Sequence, residues 1–147
     1  VVAAPTDPAA RAWALMRGFV EAHNRHGELA EALGFRLGGG RGKLLFQLRD
    51  RPMSLSELAQ ANGIDAPYVT LIVDKLETQG LVRRQPHPDD RRRKLVTLTA
   101  AGHEAIATAD AILLRPPPAV GTLPADDLRQ LAELLTRILD ADRAEDH

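Results

Sequence analysis

Apolar residues recur with helical spacing over most of this chain, and only the stretch 81–98 breaks from that rhythm. Leu55, Leu58 and Ala59 fall at i, i+3 and i+4. Ser54 stands in front of them and Glu57 three residues after it, which predicts a helix opened by a capping box. Asn62-Gly63 ends that helix, and Ile64 is expected to fill the corner after it. Asp65 is placed to cap a second helix, with Pro67 in its first turn, where a missing N–H has no intrahelical partner. Val69, Ile72, Val73 and Leu76 repeat at i, i+3, i+4 and i+7 and should face a core. At about 100° per residue, Pro67, Thr70, Leu71 and Asp74 point the other way, with Tyr68 and Lys75 on a flank. Gly80 closes the helix.

Leu81–Gln85 and Leu95–Leu98 then read as two strands. The loop between them holds the turn formers Pro86, Pro88, Asp89 and Asp90. Helix, turn, helix and hairpin in this order predict a winged helix-turn-helix. Its parts suit duplex DNA, because a helix can enter the major groove while a loop beside it reaches phosphates or the minor groove.

The flanking segments are helical as well. Residues 8–25 carry a stripe of Ala12, Leu15, Met16, Phe19 and Val20, continued by His23. A shorter helix is expected over 28–33, then a Gly38-Gly39-Gly40 connector, then a helix from about Arg41 holding Leu44, Leu45 and Leu48. Past the hairpin, Thr99 can cap a helix running to about Leu114, with Ala105, Ile106, Ala109, Ile112 and Leu113 on one face. Pro116-Pro117-Pro118 must stop it. A last helix is expected over 124–142, with Leu128, Leu131, Leu134, Leu135, Ile138 and Leu139 as its apolar positions. The fold class is therefore mainly α with a small β-hairpin wing. One domain is expected over 1–147, with a winged lobe at 41–99 and helical regions at 8–33 and 100–142. Those outer stripes pack either on their own domain or against a second copy of the chain, and a DNA site with two half-sites calls for the second arrangement, a two-fold dimer.

Charge sharpens the picture. The chain of 147 residues has a net charge of −1, yet Arg83 to Lys94 holds six basic residues against two acidic ones. From Asp126 onward there are seven acidic residues against three basic. A basic wing on a nearly neutral chain is the electrostatic footprint of a nucleic-acid binder, although a solvated hairpin would read the same way. No apolar run suits a membrane span and no signal peptide is evident, so a cytoplasmic location is expected. The absence of cysteine excludes disulfides, thiol redox sensing and cysteine-ligated zinc. No cofactor loop, nucleophile elbow or buried carboxylate pair is evident, so neither an enzyme nor a cofactor is expected. The glycine run lacks phosphate-loop spacing. His23 and His26 lie at i and i+3 without a matching acidic residue, and no metal site is expected.

These residues resemble the MarR family of bacterial transcriptional regulators. The likeness is carried by Leu58-Ala59, Val69-Thr70, Val73-Asp74-Lys75-Leu76-Glu77 and Gly80-Leu81-Val82-Arg83-Arg84, then by Asp89-Asp90-Arg91-Arg92 leading to Leu95-Val96-Thr97-Leu98-Thr99 and Gly102. The resemblance implies a homodimeric repressor of double-stranded DNA with an inverted-repeat operator, in which terminal helices form the dimer. It implies that 65–78 is the recognition helix and that Arg92 is the wing arginine directed at the minor groove, held by an ion pair from Asp90. Arg91, Arg93 and Lys94 would then serve phosphates. Tyr68 would hydrogen-bond a phosphate or pack half-buried, Thr70 would meet a base edge or a phosphate, and Leu71 would meet thymine methyls or stay a scattered surface leucine. Ser54, Ala66, Pro67 and Lys75 complete the set expected at the DNA. Pro67 and Leu71 depart from the family, in which a small polar residue and an arginine are common there, so shape readout and the wing gain weight. The resemblance further implies release of DNA by a small aromatic or phenolic effector, for which Trp13, Phe19, His23 and Phe46 are candidates. Each of the four also reads as ordinary packing. The alternative to a DNA-binding regulator is a winged helix used as a protein-interaction module, which has no need of Asp90 and Arg92 with basic neighbours.

Overall fold

In the computed structural model, which describes residues 6–145, the chain divides into two compact units. One is Asn24–Leu114, and the other joins the residues up to His23 with those from Arg115 on.

The larger unit is built in the expected order. Helix α2 (His26–Leu33) and helix α3 (Arg41–Gln47) are linked through the glycine run. Strand β1 (Met53–Ser54) leads into α4 (Leu55–Asn62) and α5 (Ala66–Thr78), the helix-turn-helix. Strands β2 (Val82–Pro86) and β3 (Lys94–Leu98) form the wing, and α6 (Ala100–Leu113) follows. The sheet is antiparallel in the order β1-β3-β2, with Met53 opposite Val96 and Arg84 opposite Val96 on the other side. Strand β1 was not foreseen, since two residues are too few to show alternation.

The caps fall where the side chains dictate. Ser54 accepts from the Glu57 N–H at 3.1 Å while Glu57 accepts from the Ser54 N–H, closing the capping box. Asp65 accepts from the Tyr68 N–H at 2.8 Å. Val69, Ile72, Val73 and Leu76 are buried and meet Leu44, Leu45, Leu58, Val82 and Val96 in one core, and Ile64 packs against it.

Helix α6 belongs to this core through Ala105 and Ile106, and α2 packs on α6. Both were expected in a terminal helical region, and the compact unit therefore extends well beyond 41–99 at each end. The joint is tight. Thr99 donates its hydroxyl to the Gly80 carbonyl at 2.5 Å, accepts from the Gly102 N–H at 3.0 Å, and its own N–H reaches the Leu81 carbonyl at 3.0 Å. Gly102 has no Cβ at the point where one would overlap that same carbonyl oxygen. Arg49 pairs with Asp110 at 2.8 Å, and Arg25 donates to the Ile112 carbonyl at 2.5 Å near the C-terminus of α6. Leu113, expected on the buried stripe, is exposed.

The second unit holds α1 (Pro8–Ala22), a short 3-10 helix (Pro118–Thr122) and α7 (Ala125–Glu145). The triple proline does end α6, and Pro118 opens the 3-10 turn. Helix α1 stops at Ala22 instead of reaching Arg25, because His23 leaves helical geometry with its N–H bonded to the Val20 carbonyl. His23 and His26 therefore do not share a helix. No residue of α1 or α7 is fully buried, and the two apolar stripes read from the sequence lie largely open, with Met16, Leu128 and Leu135 half-buried.

Candidate nucleic-acid interface

Helix α5 leaves one face to solvent. Ala66 and Pro67 are exposed at its start, Leu71 is 57% exposed at its middle, and Asp74, Lys75 and Thr78 continue the surface. Tyr68 is 44% exposed, but its hydroxyl donates to the Gly39 carbonyl at 3.2 Å. That proton ties the glycine loop to the helix, which corrects the expectation of a hydroxyl free for phosphate. Thr70 likewise donates to the Ala66 carbonyl one turn back, at 3.0 Å, so its donor is already engaged. Ser54 is 4% exposed with its hydroxyl held in the cap, which takes it out of the candidate interface.

The wing is organised from below by Arg84. Its guanidinium lies 2.8 Å from Glu77 and 2.5 Å from Asp74, both on α5, and its backbone N–H donates to Glu77 at 3.1 Å. Arg84 therefore belongs to the structure of the lobe and not to the charge offered to a ligand. Arg83, Arg91, Arg92, Arg93 and Lys94 are all exposed. At the tip, the Arg92 N–H donates to the Asp90 carboxylate at 3.0 Å, the Arg93 N–H to the Asp90 carbonyl at 3.0 Å, and the His87 N–H to the Arg93 carbonyl at 3.0 Å. The ion pair expected between Asp90 and Arg92 is absent among the described residues. Asp90 is short enough to reach the backbone two residues on, and it braces the turn that carries Arg92 instead of its guanidinium.

Two hollows flank the glycine loop. One, of about 300 Å³, is walled by Leu29, Ala30, Leu37, Phe46 and Leu113, with His26, Arg36 and Lys43 among its polar lining. The other, of about 330 Å³, lies against α5 and is lined by Arg36, Arg41, Tyr68, Leu71, Ile72 and Lys75. Of the four expected effector residues only Phe46 lines the first hollow. Trp13, Phe19 and His23 are on the other unit, where Trp13 is 60% exposed and His23 Nδ1 lies 2.9 Å from the Phe19 carbonyl. That backbone contact engages Nδ1 of the histidine and agrees with the ordinary packing reading. Sequence reasoning passed over Arg36, Arg41 and Lys43. Their one signal was basic residues on both sides of Gly38-Gly39-Gly40. Among the described residues no group of three metal-ligating side chains converges, and no helix is long and apolar enough to cross a membrane.

Comparison with known proteins agrees with this geometry. The MarR family model matches residues 41–94. Wild-type MarR from E. coli in its apo form is similar over 92% of this chain and 99% of its own, with 23% identity and a TM-score of 0.70. A mutant MepR from a multidrug resistant S. aureus clinical isolate is similar over 93% of this chain and 99% of its own, with 18% identity and a TM-score of 0.66. A probable transcriptional regulator from Pseudomonas aeruginosa covers 84% of this chain and 93% of its own, with 27% identity and a TM-score of 0.56. Residues 41–94, the winged lobe, thus match the MarR family model, and the chain has the fold of solved MarR-type structures.

Proposed function

We propose that this chain is a sequence-specific double-stranded DNA-binding transcriptional regulator, acting as a homodimeric repressor on an inverted-repeat operator. The observation that carries the reading is the pairing of an open α5 face with a wing anchored to that same helix through Arg84. Ala66, Pro67 and Leu71 present a surface for the major groove, poor in donors and suited to methyl contacts and shape. Arg92, on a turn braced by Asp90, reaches the minor groove, and Arg91, Arg93 and Lys94 meet phosphates.

The homodimer reading is supported by the open stripes of the terminal unit. Trp13, Leu15, Phe19 and Val20 on α1, and Leu131, Leu134, Ile138 and Leu139 on α7, are exposed in the single chain. Exposed apolar stripes of that kind call for a partner, and two-fold symmetry supplies both the partner and the second recognition helix. Release by a small aromatic or phenolic effector is supported by the 300 Å³ hollow, whose leucine and phenylalanine walls suit a ring while Lys43 and Arg36 suit its acidic group. A ligand shifts a dimer away from DNA only if it binds the non-binding arrangement more tightly.

The test is retention of duplexes from a random library at near-physiological salt. An inverted repeat with half-site centres about 34–36 Å apart supports the reading. Weak, salt-sensitive retention without sequence preference overturns it and turns attention to a protein partner for the winged lobe.

A further inference from the structure

We infer that the hollow lined by Arg36, Arg41 and Lys75 is a second phosphate-binding site of the lobe, which grips the DNA backbone on the side of α5 opposite the wing. The inference rests on the DNA-binding reading above and adds to it Arg36 and Arg41, which lie outside both the helix-turn-helix and the wing.

The helix itself defines two flanks. At about 100° per residue, Asp74 and Glu77 turn to one side of the exposed face, and Tyr68 and Lys75 to the other. The first side is occupied by the wing, whose Arg84 binds both carboxylates. The second side opens on the hollow. A helix about 10–12 Å across fills a major groove about 12 Å wide, so both of its flanks come close to phosphates. A wing on one flank only would leave the other wall of the groove without a counter-charge.

The hollow has the means to supply it. Gly39 and Gly40 both have positive φ, 65° and 85°, which lets the loop turn close to α5. A side chain at Gly40 would press on Ile72, at 3.2 Å. The Tyr68 hydroxyl holds the loop there through the Gly39 carbonyl. Arg41 donates its Nε to the Gly38 carbonyl at 2.9 Å, which fixes its stem and leaves both Nη groups for a ligand. Arg36 and Lys75 are exposed on either side. No carboxylate among the described residues lines the hollow; Asp74, which borders a neighbouring depression together with Arg41 and Lys75, is engaged by Arg84. Three cations of this kind fit a phosphodiester, which needs charge and N–H donors and offers no base edge to read.

The experiment is a salt titration of duplex binding by the full chain, with the wild type and an Arg36→Gln/Arg41→Gln variant, on the selected duplex and on a scrambled one. The slope of log affinity against log salt should become shallower by about 0.9 for each phosphate that the variant no longer neutralises. Affinity should fall by a similar factor on both duplexes, because phosphates carry no sequence information. Lys75→Gln, which leaves the loop bonds untouched, should show the same behaviour and carries the test if the double variant melts early. Arg41→Lys, which keeps the charge and loses the Nε bond, should retain most of the slope. An unchanged slope in folded Arg36→Gln/Arg41→Gln and Lys75→Gln proteins overturns the inference and leaves the DNA-binding reading standing. A loss confined to the selected duplex overturns it too, since that marks base readout. A wild-type protein that binds neither duplex removes the parent reading and this one together.

Discussion

Arg84 of the wing and Asp74 of α5 lie 2.5 Å apart, and the same guanidinium reaches Glu77 at 2.8 Å. The arginine side chain is 22% exposed, so this junction is partly shielded from water. It sets the angle between the two parts of the lobe that are proposed to meet DNA. Exposed ion pairs contribute little, but one guanidinium shared by two carboxylates, of which Glu77 also accepts from the Arg84 backbone N–H, should hold about 1 kcal/mol. In a double-mutant cycle of Arg84→Met with Asp74→Asn, urea unfolding is expected to return a coupling of about 0.5–1 kcal/mol. Additive effects would show that the wing is held by the sheet alone.

Gly102 allows α6 to sit on the Leu81 carbonyl. Gly102→Ala should favour the helix locally and yet destabilise the protein by about 1–3 kcal/mol, because a methyl group there displaces backbone and not a flexible side chain. A thermal melt decides the matter, and an unchanged or raised Tm would mean that the joint between Leu81 and α6 yields easily.

The first helix of the helix-turn-helix carries an acid-sensitive contact. Arg51, 2.6 Å away, holds the Glu57 carboxyl below the usual glutamate range, with burial opposing and the Ser54 bond assisting. In the interval between the ordinary and the depressed value the unfolded chain binds more protons than the folded one. Stability from this group is therefore full above the ordinary glutamate range and is lost as pH falls through the folded value. Glu57→Gln should flatten that part of the stability–pH curve, as followed by urea midpoints from neutral to acid. A curve as steep in the variant as in the wild type would assign the acid response to other carboxylates.

Arg92 stands on a turn whose backbone is braced by Asp90. Arg92→Ala should weaken binding of the selected duplex by roughly tenfold at near-physiological salt and make its salt dependence shallower. Asp90→Ala, which keeps every positive charge, should weaken it by a smaller factor by loosening the turn. Equal affinity in wild type and Arg92→Ala would remove the wing from the interface.

On α7, Leu134 and Ile138 are exposed one turn apart. Leu134→Lys/Ile138→Lys should convert a dimer into a monomer, and sedimentation equilibrium reads the change directly. A wild-type chain that sediments as a monomer at micromolar concentration would sink the homodimer proposal.

Much of the lobe was legible in the sequence because its signals are local. The Ser54–Glu57 box, the Asp65 cap and the spacing of Val69, Ile72, Val73 and Leu76 act within one or two turns of a helix, and all appear as read. Spacing also put Leu71 outside and Ile72 inside on adjacent residues. The same logic failed for α1, where a stripe continued through His23 but the backbone turned before it. Periodicity says which face is apolar and does not say where the chain stops being a helix.

The division of labour among the arginines was decided only by tertiary structure. Arg83 and Arg84 are adjacent and identical in chemistry, yet strand alternation turns one to solvent and the other onto the carboxylates of α5. The Tyr68 hydroxyl is claimed by a carbonyl 29 residues away, and Arg36 and Arg41 reach α5 only because two glycines bend the loop back. Local composition determined that this chain makes a winged helix with a basic edge. Which of its polar groups remain available to a partner depended on contacts between residues distant in sequence, and spacing along the chain carries no record of those.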